Sequence, residues 1–326
     1  MKKALMHRNA AQRISRVRLR GRFLWMTLLG LAVLATVVVG AAWYRMAAPA
    51  PPTVSLSDLD PAVAAAIETA QRGVREQPRS GSAWGRLGMV LLTHDFPAEA
   101  RICLTQAARF DPREPRWPYF QGIVLHQEEP DSAIPELQRA VELCGDEVAT
   151  PRLLLAEILY AQGRRDEAEA QFQQVLHHEP GNARAHLGLG RLASWRGQGA
   201  ECIRHLDAAK ADPRTRKASL TLLAEVYQRL GDQRAADQVL RQLATLPDDA
   251  AWPDPFLQEL LRLQTGQKAY LDRANRLLDQ GHTAEAVALL QQAVREYPNA
   301  DWTWLLLGKA FLKRKELPPA VEALRN

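Results

Sequence analysis

Seven small residues recur along this chain at an almost constant interval. Successive members lie about 34 residues apart, except for one longer step between the fifth and the sixth. They are Gly88, Gly122, Ala156, Gly190, Ala224, Ala274 and Gly308. A strict period of this length is typical of one supersecondary unit that is copied and stacked, because each copy buries its apolar face against the next. The chain is therefore expected to form a repeat array and not a single closed core.

Other residue types repeat in the same register. The first copy contains Trp84, Leu87, Gly88 and Leu91, followed by Ala100, Leu104, Ala107 and Pro112; the last contains Trp304, Leu307, Gly308, Phe311 and Ala320. This pattern resembles the tetratricopeptide repeat, in which helix A carries W-x2-LG-x2-Y, helix B carries A-x3-F-x2-A, and Pro closes the unit. The resemblance covers roughly residues 81–326. It implies an all-α fold, a right-handed superhelical solenoid of about seven tetratricopeptide-type helical hairpins.

Glycine and proline mark the ends of the helices. Four glycines occupy one position between the two helices of a unit, where a left-handed cap is needed: Gly163, Gly197, Gly231 and Gly281. Four prolines follow the second helix, which their rings cannot continue: Pro112, Pro180, Pro247 and Pro298. The periodic small residues are expected where helices A and B of one hairpin approach most closely.

The one long interval places 16 extra residues between the fifth and sixth copies. Because the phase is otherwise unbroken, we assign repeats 1–5 to residues 81–250, an inserted helix to 251–266, and repeats 6–7, the last incomplete, to 267–326. The insert opens with prolines and continues as an amphipathic helix with apolar Phe256, Leu257, Leu260, Leu261 and Leu263. Two interpretations remain open. The helix covers the exposed end of the five-repeat block and lets two blocks meet at an angle, or it is a hinge or partner-docking element.

The excess of basic residues is confined to the start of the chain. The formal net charge is +5, but residues 1–22 hold eight Lys or Arg and no acid, which leaves −3 for the remainder. The repeats are therefore mildly acidic, and they offer no basic surface of the kind that follows phosphates. No nucleic acid partner is expected.

An apolar stretch follows the basic tail. Phe23 to Tyr44 are 22 residues without a charge, and at about 1.5 Å per residue a helix of this length crosses a hydrocarbon core of about 30 Å. We predict a transmembrane helix over residues 23–44, with residues 1–22 as a cytoplasmic tail and the repeats extracytoplasmic, periplasmic if the cell is bacterial. The competing interpretation is a signal peptide cleaved within residues 40–42 or near Ala48.

Two short segments precede the repeats. Residues 45–60 are rich in Pro and are predicted to form a linker that holds the repeats away from the bilayer. Residues 61–80 resemble a helix B without its partner and are expected to cap the first repeat.

The sequence contains no pattern typical of catalysis. The chain has three cysteines and no C-x2-C pair: Cys103, Cys144 and Cys202. We expect them to be small core residues, and the alternative is a reactive thiol or an intermolecular bridge. His177 and His178 lack a ligand one helical turn away, so no metal site is expected. Nucleophile elbow, Walker loop, dinucleotide fingerprint and paired-carboxylate signatures are absent. We expect no enzymatic activity, no cofactor and no small-molecule substrate.

The remaining chemistry is recognition. The resemblance implies that helices A line a concave face and that the second, fifth, ninth and twelfth places of each unit meet a ligand. The candidate partner-binding residues are Tyr119, His126, Glu157, Tyr160, Arg184, Arg191, Glu225 and Lys309. Their aromatic and cationic groups suit an extended protein or peptide segment. The alternative is that these charged residues are a solvated face.

Three functional hypotheses follow. The first is a membrane-anchored scaffold that binds a protein or peptide partner on the concave face of its repeats. The second is an envelope assembly chaperone for exported polypeptides. The third is the regulatory repeat region of a longer enzyme, because the chain stops at Asn326 within the last helix B, with Leu317, Ala320, Val321 and Leu324 expected on an uncovered face.

Overall fold

The computed structural model describes residues 49–325, and in this range it contains sixteen α-helices and no strand. They are α1 Pro61–Glu76, α2 Gly81–Thr93, α3 Pro97–Phe110, α4 Arg116–Glu128, α5 Pro130–Cys144, α6 Ala149–Ala161, α7 Arg165–His178, α8 Ala183–Trp195, α9 Gly199–Ala209, α10 Arg216–Leu230, α11 Gln233–Leu243, α12 Pro255–Leu263, α13 Gly266–Asp279, α14 Thr283–Glu296, α15 Asp301–Lys313 and α16 Leu317–Arg325.

Fourteen of these helices pair as seven consecutive hairpins. The pairs are α2 with α3, α4 with α5, α6 with α7, α8 with α9, α10 with α11, α13 with α14, and α15 with α16. Hairpins 1–5 form one run and hairpins 6–7 a second. Within each run, the second helix of one hairpin also packs against the first helix of the next hairpin. The predicted all-α array of seven hairpins is therefore confirmed, and its right-handed superhelical sense stays a prediction.

The periodic small residues lie where the two helices of a hairpin meet. A Cβ atom on Gly122 would stand 2.6 Å from Leu137 Cγ, and one on Gly308 would stand 2.5 Å from Leu324 Cγ. Ala156 and Ala274 occupy the same place in their hairpins and are fully buried. Each small residue thus makes room for the helix that follows, which is the physical reason for the period.

The predicted glycine turns are also confirmed. Gly163, Gly197, Gly231 and Gly281 have φ angles of 76°, 76°, 78° and 80°. This left-handed region is costly for residues with a Cβ atom, so glycine at this point ends helix A and redirects the chain into helix B.

The cysteines of α3 and α9 are core residues. Cys103 and Cys202 are completely buried, and the Cys202 thiol donates to the Gly190 carbonyl at 3.2 Å. Burial, with a smaller contribution from Glu99, raises the pKa of Cys103 to about 12, so this sulfur stays a thiol at neutral pH. The interpretation of these two residues as small core groups agrees with that environment.

The inserted helix does not cover the end of the fifth hairpin. It is α12, and it packs against α2 and α4 of the first two hairpins, where Phe256 contacts Tyr119 and Phe120. The interpretation that the insert covers the end of the five-repeat block is therefore wrong. Its buried side chains Phe256 and Leu260 belong to the apolar core to which the first helices of hairpins 1 and 2 contribute.

Helix α1 contacts two hairpins, the first and the sixth. It packs on α2, as a cap would, and it also meets α13 of the sixth hairpin. Asp60 begins α1 by accepting from the Ala62 N–H at 2.8 Å, and its second oxygen accepts from the Gln267 N–H at 3.0 Å. Gly266 has φ 77°, and a Cβ there would stand 2.8 Å from Asp60 Oδ2. The chain thus returns from the fifth hairpin to the beginning of the array.

No helix within residues 49–325 has the length and apolar character needed to cross a membrane. The predicted basic tail and the predicted span 23–44 lie outside the described residues. On the last helix, Leu317 and Val321 are 62% and 47% exposed, whereas Ala320, which was expected beside them, is buried against α15.

Candidate partner-binding face

The first helices of hairpins 1–5, α2, α4, α6, α8 and α10, form the surface on which the sequence places a ligand. We call this surface the helix A face. Residues 252–263, here called the return segment, lie on the part contributed by hairpins 1–4, which we call the covered half. The part contributed by hairpins 3–5 forms an open cavity, and we call it the open half.

Asp254 fixes the return segment to the covered half. Its Oδ1 accepts from the N–H groups of Phe256 and Leu257 at 2.9 and 3.0 Å and so begins α12. Its Oδ2 accepts a 2.5 Å hydrogen bond from the Tyr119 hydroxyl. Burial, and then the charge of Asp254, raises the pKa of Tyr119 well above its usual value, so the hydroxyl remains a donor. One carboxylate therefore starts a helix and anchors it.

Apolar contacts continue from this anchor. The Phe256 ring lies 4.6 Å from the Tyr119 ring and 6.4 Å from the Phe120 ring, the latter edge-on. Leu260, one helical turn later, is 7% exposed. Burial of each large apolar side chain contributes about 2 kcal/mol, so Phe256 and Leu260 carry most of the apolar stabilisation of α12.

Arginines surround the return segment. Arg116 donates to Glu259 at 2.9 Å and is also paired with Glu114. Arg184 binds Glu157 through two hydrogen bonds of 2.7 and 2.6 Å. Burial alone would lower the pKa of Arg184, but the Glu157 carboxylate outweighs this effect and the pKa is raised. Each arginine is therefore held in place by a carboxylate of the hairpins, and Arg116 also binds an acidic residue of the return segment.

Trp252, at the start of the return segment, lies beside two arginines. Its ring is 4.5 Å from the Arg214 guanidinium carbon and 5.9 Å from that of Arg184. Tyr119 is 1% exposed, and the Arg184 side chain is 17% exposed. Neither residue is free to meet a partner while the return segment is bound.

The open half brings three of the predicted residues together. Tyr160 of α6, Arg191 of α8 and Glu225 of α10 line a cavity of about 760 Å³, together with Trp195 and Arg229. Trp195 is 59% exposed and stacks against the Arg165 guanidinium at 4.0 Å. Arg229 donates to the Ser194 hydroxyl at 2.5 Å. An aromatic wall, a cation and a carboxylate therefore face one open space.

The other predicted residues lie apart from this space. His126 is exposed in the last turn of α4, and Lys309 is exposed on α15 of the seventh hairpin. Glu157 is engaged by Arg184. Of the eight candidate residues, the structure thus groups Tyr160, Arg191 and Glu225 in the open half.

Sequence reasoning missed two parts of the helix A face. The first part is Trp195 and Arg229, which follow the last ligand-facing place of their repeats. The large aromatic side chain at a helix end could have indicated Trp195. The second part is the return segment. Asp254 followed by Pro255 indicated the start of a helix. Nothing in the local sequence indicated that this aspartate would meet Tyr119.

Comparison with known proteins agrees with the observed hairpins. A tetratricopeptide repeat family model matches residues 159–224 and 277–326, and a second tetratricopeptide repeat model matches residues 219–251. Human Tetratricopeptide repeat protein 34 is 28% identical over 204 residues, which are 60% of this chain and 36% of that protein. Cellulose synthase 1 operon protein C of Komagataeibacter xylinus is 24% identical over 70% of this chain and 17% of that protein.

The chain therefore spans about a third or less of the length of these curated relatives. Among solved structures, MamA 41-end from Desulfovibrio magneticus RS-1 has a TM-score of 0.47 and 20% identity, over 51% of this chain and 94% of that chain. At this TM-score the similarity carries no inference about function.

Proposed function

The chain carries tetratricopeptide repeats, and from that premise we propose that it is a protein-interaction scaffold that binds a protein or peptide segment in the open half of its helix A face. The observation that supports this function is the cavity shared by Tyr160, Arg191 and Glu225 beside the exposed ring of Trp195. Tyr, Trp and Arg are the residue types that most often dominate binding energy at protein interfaces.

The geometry of the open half suits a ligand with more than one type of contact. The Arg165 guanidinium stacked on Trp195 restricts that ring before any ligand arrives, which reduces the entropy lost on binding. Arg191 offers a cation and Glu225 a carboxylate in the same space. The best-fitting segment therefore carries an apolar or aromatic side chain for Tyr160 and Trp195, with charged groups on both sides of it.

A matched pair of tryptophans tests this function. We expect a photoreactive amino acid at position 195 of the full-length chain to cross-link a partner in native membranes, whereas the same amino acid at position 302 does not. Both positions are solvent-exposed tryptophans, at 59% and 70%, but Trp302 lies on the seventh hairpin. Tyr160→Ala with Arg191→Ala should remove the cross-link, whereas Gln174→Ala on α7 should keep it. Equal cross-linking at 195 and 302 would contradict the proposal.

We also propose that the scaffold is anchored in a membrane by residues 23–44, with the repeats outside the cytoplasm. The support is the charge-free stretch from Phe23 to Tyr44, which follows eight cationic residues. The full chain should remain in membranes after alkaline extraction, and a reporter fused after Pro52 should be active only outside the cytoplasm. A mature amino terminus near Ala42 or Ala48 would show a cleaved signal peptide instead.

A further inference from the structure

The return segment occupies the covered half in the manner of a bound peptide. Two side-chain pairs, Tyr119 with Asp254 and Arg116 with Glu259, join it to α4. The aromatic ring of Phe256 lies between them along the sequence and contacts the Tyr119 ring. These are the contacts expected of an acidic and aromatic ligand on a basic and aromatic groove.

The helix within the return segment has little stability of its own. Helix α12 is nine residues long, which is below the roughly 12–15 residues at which isolated helices become even marginally stable in water. Leu257 and Leu261 remain 38% exposed, whereas Phe256 and Leu260 are buried, at 9% and 7% exposure. The segment is therefore ordered by docking, and releasing it uncovers Phe256 and Leu260 together with the Tyr119 and Phe120 rings that Phe256 contacts.

The covered half also contains space that the return segment leaves unfilled. A cavity of about 510 Å³ lies at the end of α12 and is lined by Arg86, Met89, Trp117 and Arg262, among others. The Trp117 indole N–H is buried and has no hydrogen-bond partner among the described residues. A longer ligand than α12 would find apolar surface and a cation there.

We propose that the covered half is a second peptide-binding site, and that the return segment is an exchangeable occupant that a partner segment of the same chemistry displaces. That partner presents an acidic residue followed by Pro and an aromatic residue at the start of a short amphipathic helix, with a second acidic residue in the next turn or two. The Tyr119 hydroxyl selects the first acidic residue and Arg116 the second, and the Tyr119 and Phe120 rings select the aromatic one. This site uses different residues from the open half and does not depend on the function proposed there.

Tethering determines how such an exchange is regulated. Residues 244–251 contain no helix and join α11 to the return segment, and Asp249 in this linker accepts from the N–H groups of Lys217 and Ala218. The segment therefore stays close to its groove after release. Short tethers give effective concentrations on the order of millimolar. A free peptide must compete with that concentration, so the parent protein binds it weakly. A variant whose own segment is weakened binds it more tightly.

The probe is a fluorescent synthetic peptide with the sequence of residues 249–265, titrated against the full-length chain and followed by fluorescence anisotropy. The released variant carries Asp254→Ala and Glu259→Ala, and its matched control carries Asp232→Ala and Glu201→Ala on α11 and α9. We expect the released variant to bind the peptide at least tenfold more tightly than the parent and the control do. Tyr119→Phe in the released variant should weaken binding at least fivefold.

Further arms separate this site from the open half and from a second copy of the chain. Tyr160→Ala with Arg191→Ala in the released variant should leave peptide binding unchanged, whatever the outcome of the cross-linking at Trp195. A peptide that lacks the acidic residue at 254 and the aromatic residue at 256 should not bind. A released variant that becomes dimeric by light scattering and ignores the peptide would show that a second copy is the occupant, and would overturn the proposal.

Hydrogen exchange on the parent keeps the proposal testable if the released variant fails to fold. If a partner can displace the return segment, the amide hydrogens of α12 must exchange through local opening, and they must do so faster than the buried amide hydrogens of α8. If α12 exchanges only with global unfolding of the hairpins, the return segment is a permanent part of the fold and the proposal is wrong.

Discussion

Gly190→Leu should lower the free energy of unfolding by about 3 kcal/mol or more, because it forces a branched side chain between two packed helices. A Cβ at this position would already stand 2.7 Å from Leu206 Cδ2 and 3.7 Å from His205 Cβ. The Gly190 carbonyl also accepts the Cys202 thiol, so a shift of α9 away from α8 disturbs that contact as well. Urea denaturation followed by circular dichroism measures the loss.

Gly163→Ala is the matched control for this effect of packing. The nearest atom to a Cβ on Gly163 is a terminal nitrogen of Arg165 at 3.7 Å, so space is not limiting there. Only the left-handed backbone, with φ 76°, opposes the alanine, at a cost of about 1 kcal/mol. Small and equal losses at both glycines would mean that the repeat register places Gly190 wrongly.

Asp254→Ala should shift the opening equilibrium of α12 by about 3 kcal/mol, which is on the order of a hundredfold. The substitution removes the helix cap, at about 1 kcal/mol. It also leaves the buried Tyr119 hydroxyl without its acceptor, at about 1–3 kcal/mol. Amide hydrogen exchange should show this change in α12, with the first five hairpins still protected.

Asp232→Ala separates the two contributions. Asp232 begins α11 by accepting from the Ala235 N–H at 3.0 Å, and it is exposed. Its removal should therefore cost only the cap, about 1 kcal/mol. The difference between the two variants measures the contact between Asp254 and Tyr119. If both variants open their helices to the same extent, that hydrogen bond adds nothing to docking.

The hairpins could be predicted because the information that specifies each of them is local. Gly190 and Leu206 belong to the two helices of one hairpin, and the same pairing recurs at Gly122 with Leu137. A period of about 34 residues therefore reveals which side chains meet inside one unit. Left-handed turns such as that at Gly163 are equally local, since the constraint lies in the glycine itself.

Part of the candidate site could be predicted for the same reason. Tyr160, Arg191 and Glu225 occupy ligand-facing places of successive repeats, and stacking brings such places together. Tyr119 and Arg184 satisfy the same pattern, but in the structure the return segment covers Tyr119 and contacts Arg184. A periodic pattern shows which face a residue belongs to, and it contains no information on what else binds that face.

The sequence by itself determined the number of hairpins, their phase and the length of the insert. Only the tertiary structure decided where the insert lies, because its anchor joins Asp254 to a tyrosine 135 residues earlier in the chain. The same holds for Asp60 and Gln267, which are 207 residues apart. Contacts at such separations depend on how all the intervening hairpins stack, and no local pattern or propensity encodes the combined geometry of that stacking.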